Sequence, residues 1–424
     1  MHTLRDKHYT YCCVQLIRTY KTISMAVTSL ERISTGTPWP RGICNFNGQI
    51  IVLGRGVHRN QGGPNQNNND FGAGNLFEID PTIAELVVPG QLASDEIKAN
   101  FKIFATPISA IFDLWSSKGF HPFTQTDRPY ATLIFDQKSQ NFYICGYSGI
   151  DLLELPNFSK NAVDSVLRYD IRTKKWYQVE KHIDTGEGGQ GDTLDTSNYP
   201  HKHKPTDSPP PHGWLAGPEC LCTYNDKLYV GTLDNNIVVA YDLTEIIRDP
   251  NSNAPLGKKV LDENSQISGR SAKTKGPSAL AVRNGYLYVG YRTSSVITKF
   301  KLNSQGIPTT GELIADFSAV SDKVDIIDMV FDKSGNLYVS TASLGGIWKI
   351  ANNLSIPFIP TTPIPNAIDL RKLTGNTKTK CSNIMIDDSN QLYICSNNHD
   401  SDISSPSIVG VVYRANLNSE ETFT

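Results

Sequence analysis

One phrase recurs six times along this chain, and that recurrence restricts the fold more than any other feature. It reads "WPRGICNFNGQIIVLGRG" from Trp39, "RPYATLIFDQKSQNFYICGY" from Arg128 and "GPECLCTYNDKLYVGT" from Gly217. It returns as "GPSALAVRNGYLYVGY" from Gly276, "IIDMVFDKSGNLYVST" from Ile326 and "CSNIMIDDSNQLYICS" from Cys381. Each copy is a strand, a tight turn rich in Asn, Asp and Gly, and a second strand ending in an aromatic-rich run, which is the pattern of a β-hairpin. A third strand follows each hairpin, for example "NIVVAYDL" at Asn236 and "SVITKFKL" at Ser295, and most units continue into a fourth. Such a unit cannot bury both of its apolar faces alone, whereas stacking six around an axis buries them. The fold expected is an all-β, six-bladed β-propeller of four-stranded antiparallel blades.

The two ends of the chain complement each other. After "GVVYRANL" only "NSEETFT" remains, too little for a fourth strand, while "MAVTSLERIS" at 25–34 is a strand without a hairpin. Letting it complete the last blade closes the ring and removes an open edge. The organisation expected is an extension at 1–24, poorly ordered because its composition is unlike that of the repeats, a propeller at 25–418, and a tail at 419–424. Blades fall near 39–89, 128–182, 214–262, 276–317, 326–360, and 381–418 with 25–34.

Composition narrows the function. A net charge of −2 with 19% charged residues gives no global attraction to nucleic acid or anionic lipid. No run of about 18 apolar residues and no apolar leader is present, so neither a membrane span nor a secretory signal is expected, and a cytoplasmic setting is. Eight cysteines, six within strand-like runs and without zinc-ligand spacing, read as small buried residues rather than as disulfides. Long loops at 56–74, 90–127 (with a helix at "SDEIKANFKIFA"), 146–163, 184–213 and 397–407 all fall on one face, and that face is the expected working surface.

Aligning the six phrases puts one residue of each in register at the axial mouth: Arg41, Tyr130, Glu219, Ser278, Asp328 and Asn383. Carboxylates gathered in so small a ring need compensation. Two chemistries supply it. A divalent cation, Ca²⁺ first, takes carboxylate and amide oxygens, which Glu219, Asp328 and Asn383 offer. Alternatively, Arg41 pairs with Glu219 or Asp328 and water satisfies the rest.

The phrases "FDKSGNLYVST", "GPSALAV" and "IDDSNQLYICS" resemble the six-bladed propellers of the senescence-marker-protein/gluconolactonase family and the related NHL-repeat propellers. The resemblance implies that Glu219, Asp328 and Asn383 hold a divalent metal. In that family the Glu stands on the first blade and Asn precedes Asp; here Glu219 is on the third blade and Asp328 precedes Asn383. The function expected is a metal-dependent hydrolase of a lactone or small ester. Asp328 would take a proton, Arg41 or Tyr130 would bind substrate or steady an oxyanion, and loop residues His58, His121 and His399 are further acid–base candidates. The alternative is a non-catalytic scaffold that binds a protein or glycan through its long loops. A quinone-dependent dehydrogenase would want more basic and aromatic groups at the mouth than one Arg and one Tyr.

Overall fold

A computed structural model describes residues 27, 29–38, 40–54, 76–105, 131–146, 165–179, 217–233, 235–248, 257–321, 323–398 and 409–417. The six hairpins are present, and each belongs to its own antiparallel sheet. Blade 1 comprises Pro40–Phe46, Gln49–Gly54, Leu76–Ile79 and Lys102–Ala105. Blade 2 comprises Thr132–Asp136, Asn141–Gly146, Ser165–Asp170 and Lys175–Gln178. Blade 3 comes next with Pro218–Tyr224, Lys227–Thr232, Ile237–Asp242 and Lys258–Leu261. Pro277–Arg283, Tyr286–Tyr291, Val296–Leu302 and Pro308–Asp316 make blade 4. Ile326–Phe331, Leu337–Thr341, Gly346–Ile350 and Ile368–Asp369 make blade 5. Blade 6 joins Thr379–Ile386, Gln391–Asn398 and Val409–Asn416 to Glu31–Pro38 from the start of the chain. The first strand of every blade packs on the first strands of both neighbouring blades, so six innermost strands surround one axis. The molecule is a six-bladed β-propeller.

Turn chemistry sets the hairpins. Asn47 and Gly48 have φ of 52° and 83°, and Asn284 and Gly285 have 50° and 75°, the paired left-handed conformations that a two-residue hairpin loop requires. Apolar side chains then alternate across each sheet and fill the seams between blades. One seam joins Tyr143 and Val166 of blade 2 to Leu228 and Val239 of blade 3. Another joins Ala279 and Ile297 of blade 4 to Val339 and Trp348 of blade 5.

The ring closes as expected, but four to six residues later. The closing strand is Glu31–Pro38, with Glu31 opposite Arg414 and Thr37 opposite Gly410. Gly36 and Pro38 look like turn residues, yet two bulges let the strand run through them, with Gly36 at φ 100°. Arg414 Nε donates to Glu31 Oε2 at 2.7 Å across the closure.

A second difference lies in blade 1. The helix expected at 94–105 is only Asp95–Ala99, capped by the Ser94 side chain, which accepts from Ile97 N. Asn100 ends it by donating Nδ2 to Ile33 O and Asp80 O, at 2.7 and 2.8 Å. "KIFA" then forms the outer strand, while Glu85–Leu86, inside the blade 1 range expected from sequence, pairs with Glu31–Arg32 of blade 6.

Outer edges are blunted in two ways. In blades 1, 2 and 3 the outer strand begins with Lys102, Lys175 or Lys258, and in blades 4 and 6 a further short strand, Ile267–Ser268 or Glu85–Leu86, lies along it. The six described cysteines are buried and free. No helix among the described residues is long and apolar enough to cross a membrane.

Candidate functional site

The site begins with a backbone irregularity. In blades 1, 3, 4, 5 and 6 the innermost strand holds one residue more than its partner strand close to the axis. A bulge of this kind re-aims side chains and frees them from the pleat. Counting from the pairs Ile43–Val52, Leu133–Ile144, Leu221–Val230, Leu280–Val289, Met329–Val339 and Ile384–Ile394 gives two registers at the mouth. The outer register holds Arg41, Ala131, Glu219, Ser278, Ile327 and Ser382. The inner one holds Gly42, Thr132, Cys220, Ala279, Asp328 and Asn383.

The single row expected from the sequence is therefore corrected to two. Arg41, Glu219 and Ser278 share a register, whereas Asp328 and Asn383 lie one residue further along their strands. Ala131 takes the place in blade 2 that Tyr130 was given, and Tyr130 lies outside the described residues. The hairpin turns differ in length: the paired positions are nine residues apart in blades 1, 3 and 4, ten in blades 5 and 6 and eleven in blade 2, which is why alignment of the phrases misplaced these positions.

Each register carries one bond that skips a blade. In the outer register, Arg41 Nη2 donates to Glu219 Oε1 at 2.8 Å, from blade 1 to blade 3 past the small Ala131. Arg41 is 8% exposed and Glu219 6%, so this is a desolvated ion pair. In the inner register, Asn383 Nδ2 donates to Thr132 Oγ1 at 3.1 Å, from blade 6 to blade 2 past Gly42. Ser278 Oγ donates to Ile326 O at 2.6 Å and so ties blade 4 to blade 5.

Two charged residues that the aligned phrases do not contain complete the rim. Arg292 Nη1 lies 3.7 Å from Glu219 Oε1, and its Nε donates to Asp325 Oδ1 at 2.8 Å. They follow and precede the recurring "YVGY" and "IIDM" runs by one residue. Extending the comparison one residue past each strand end finds them. Thr132 offered no such signal, since its strand pairs regularly and its partner Asn383 is 251 residues away in the chain.

Asp328 is the most perturbed acid of the site. Its Oδ1 accepts from Met329 N at 2.8 Å and its Oδ2 from Ile384 N at 3.0 Å. It keeps partial solvent contact along the channel, yet protein atoms close around it on nearly every side. Burial pushes its pKa up from 3.8 to about 6, against the pull of those two N–H groups, the Asn383 amide and Arg41.

That shift has a sign in stability. Between about pH 4 and 6 the folded protein keeps the Asp328 proton while the unfolded chain has lost it, so stability falls as pH rises through this window and levels off above it. The expected span is on the order of 3 kcal/mol. Urea unfolding of wild type and Asp328→Asn across pH 4–7 checks it: the wild-type-minus-variant difference should decline with pH, and a flat difference refutes the raised pKa.

The thiols of Cys145, Cys220 and Cys395 are pushed far up by burial, which removes them as nucleophiles at neutral pH. The oxygens expected to hold a metal are engaged. Glu219 accepts from Arg41, Asp328 accepts a backbone N–H on each oxygen, and Asn383 Oδ1 accepts from Ser382 Oγ at 3.3 Å. A guanidinium inside the donor set does not fit a resident divalent cation. Among the described residues no group of three or more His, Cys, Asp or Glu is placed to hold a metal ion. His58, His121 and His399 lie outside the described residues, as do most of the long loops.

No protein-family model matches the chain, and no curated protein matches it. Among solved structures, a gluconolactonase from Xanthomonas campestris superposes with a TM-score of 0.48 at 10% identity, over 94% of this chain and 93% of that one. The PQQ-bound aldose sugar dehydrogenase from Streptomyces coelicolor gives 0.45 at 9% identity, over 92% and 98%. Virginiamycin B lyase from Staphylococcus aureus gives 0.40 at 8% identity, over 86% and 80%. The likeness is one of fold.

Proposed function

We propose that the axial mouth hydrolyses a lactone or small ester, with Asp328 as general base and Arg41 as the group that stabilises the oxyanion. One observation carries this reading: a carboxyl whose pKa is about 6 shares the mouth with a buried guanidinium whose Nε finds no acceptor among the described residues. A base with a pKa near the working pH is both largely ionised and able to return its proton. Each Asp328 oxygen spends one lone pair on a backbone N–H and keeps another for a water.

In the proposed reaction that water adds to the acyl carbon as its proton passes to Asp328. The carbonyl oxygen gains the negative charge beside Arg41. Collapse then breaks the acyl–alkoxy bond, and Asp328 returns the proton to the departing alkoxide. Water is consumed and a hydroxy acid, or an acid and an alcohol, results. The reaction is written without a resident cation because the Arg41 guanidinium stands inside the donor set, bonded to Glu219.

The test is turnover of γ- and δ-lactones and p-nitrophenyl acetate. Wild-type activity should rise with pH through a limb near 6, and Asp328→Asn should cost about 10²–10⁴-fold in kcat. Arg41→Met should cost about 10²–10³-fold, the scale of losing one oxyanion donor. Hydrolysis that is absent, or indifferent to Asp328→Asn, refutes the proposal.

The closure of the polar network supports a second reading, a scaffold that binds protein or glycan through its loops. Glu219, Ser278 and Asn383 all find partners inside the protein and call for no ligand. On this reading, trimming residues 56–74 abolishes ligand binding while Asp328→Asn does not.

A further inference from the structure

Four blades place a tyrosine of the second strand directly across from a basic residue of the third. The pairs are Tyr143–Arg168 in blade 2, Tyr288–Lys299 in blade 4, Tyr338–Lys349 in blade 5 and Tyr393–Arg414 in blade 6. In blades 4 and 6 the outer strand sets a carboxylate opposite the base. Glu312 Oε2 lies 3.1 Å from Lys299 Nζ, and Glu31 Oε2 lies 2.7 Å from Arg414 Nε. Lys349 forms no ion pair among the described residues, but it is only half-buried.

Blade 2 breaks the pattern where enclosure is greatest. Opposite Arg168 the outer strand sets Tyr177, whose ring centroid lies 4.3 Å from the guanidinium carbon. Arg168 is 2% exposed, and among the described residues its one hydrogen bond runs from Nη1 to Asn141 Oδ1 at 3.2 Å. Asp170 acts on it through space without pairing, and accepts at Oδ1 from Arg172 N at 2.9 Å. Burial pulls the Arg168 pKa down, the mark of a charge held out of water.

Nη1 is spent on Asn141 and one face of the guanidinium on Tyr177. The remaining edge, Nε with Nη2, presents two parallel N–H groups, and Nε finds no acceptor among the described residues. Such an edge matches the two oxygens of one carboxylate. On the same face the hydroxyls of Tyr143 and Ser139 approach each other, yet neither meets hydrogen-bond geometry. Either can donate to an incoming oxygen. Tyr143 packs against Leu228 and Val239 of blade 3, so this edge belongs to the seam of blades 2 and 3.

From these placements we infer that Arg168 binds a small exogenous carboxylate, such as formate or acetate, on its Nε–Nη2 edge. That ligand does in blade 2 what Glu312 and Glu31 do in blades 4 and 6. A buried guanidinium without a counter-charge is costly, and the ligand offsets that cost. Asp136 and Asp170 lie near enough to act on Tyr143, and they disfavour a dianion such as phosphate. No step of the proposed hydrolysis uses this site.

The test is the melting temperature of full-length protein titrated with sodium formate, with sodium chloride at equal ionic strength as the reference. Saturating formate should raise Tm by about 2 °C or more. Arg168→Met should lose this response and, in chloride, melt no lower than wild type, because it strands no partner charge. Arg168→Lys keeps the charge without the edge and should lose most of the response. A response that persists in Arg168→Met places formate elsewhere, at Arg41 for instance, and overturns the inference. So does an Arg168→Met protein that melts several degrees lower in chloride, since the charge is then already satisfied within the fold. An equal response to phosphate overturns the ligand class. Line broadening of ¹³C-formate by wild type but not by Arg168→Lys reads binding without unfolding, and equal broadening by the two also overturns it.

Discussion

Replacing Glu219 with Ala is expected to cost about 3–5 kcal/mol of folding stability, because it strands the buried Arg41 guanidinium without its counter-charge. The pair is short, 2.8 Å, and both side chains are shielded from water at the mouth. Asp325 still holds Arg292, so the unpaired charge falls on Arg41. The double variant Arg41→Met/Glu219→Leu removes both charges with little loss of volume and should recover most of the deficit. Added salt should change the wild-type contribution little, since a desolvated pair is weakly screened. Urea denaturation of the three proteins measures all of this. A Glu219→Ala loss below about 1 kcal/mol, the range of solvent-exposed pairs, shows that the mouth is wet and that the pair is not a buried brace.

The fold was legible in the sequence because hairpin chemistry is local. Asn47–Gly48 and Asn284–Gly285 announce left-handed turns, and the near-continuous apolar runs on either side mark strands buried on both faces. Closure of the ring was legible from complementary ends, but not its exact strand, since Gly36 reads as a stop until bulges are allowed. The helix expected at 94–105 failed for the same kind of reason. Asn100 ends it through bonds to Ile33 and Asp80, which are distant in sequence. At the site, repetition identified Arg41 and Glu219 as neighbours and left salt bridge and metal open. Which of the two holds depends on whether Ala131 lets the guanidinium cross blade 2, and no phrase records that. Asp328 was named from its charge alone; its raised pKa comes from enclosure by blades 5 and 6, which the ring has to create.

Gly42→Ala should be as damaging as loss of the ion pair, for a purely steric reason. A Cβ at Gly42 would lie 2.3 Å from Leu133 N, 2.4 Å from Leu133 Cβ and 2.9 Å from Leu133 Cα. Two of these atoms are backbone, so trimming Leu133 cannot relieve the contact and the innermost strands of blades 1 and 2 must separate. Overpacking that moves backbone costs about 1–3 kcal/mol and occasionally more, and a contact with two backbone atoms belongs at the upper end. Gly48→Ala is the control: its φ is 83° and nothing lies within 4 Å, so only the conformational penalty of about 1 kcal/mol applies. The strand that moves also carries Arg41, so Gly42→Ala should loosen the Arg41–Glu219 bond. In a Glu219→Ala background that bond is already gone, and the two substitutions should together cost about 1–2 kcal/mol less than their sum. Strict additivity in the double-mutant cycle would mean that the close approach at Gly42 braces the ring without positioning Arg41.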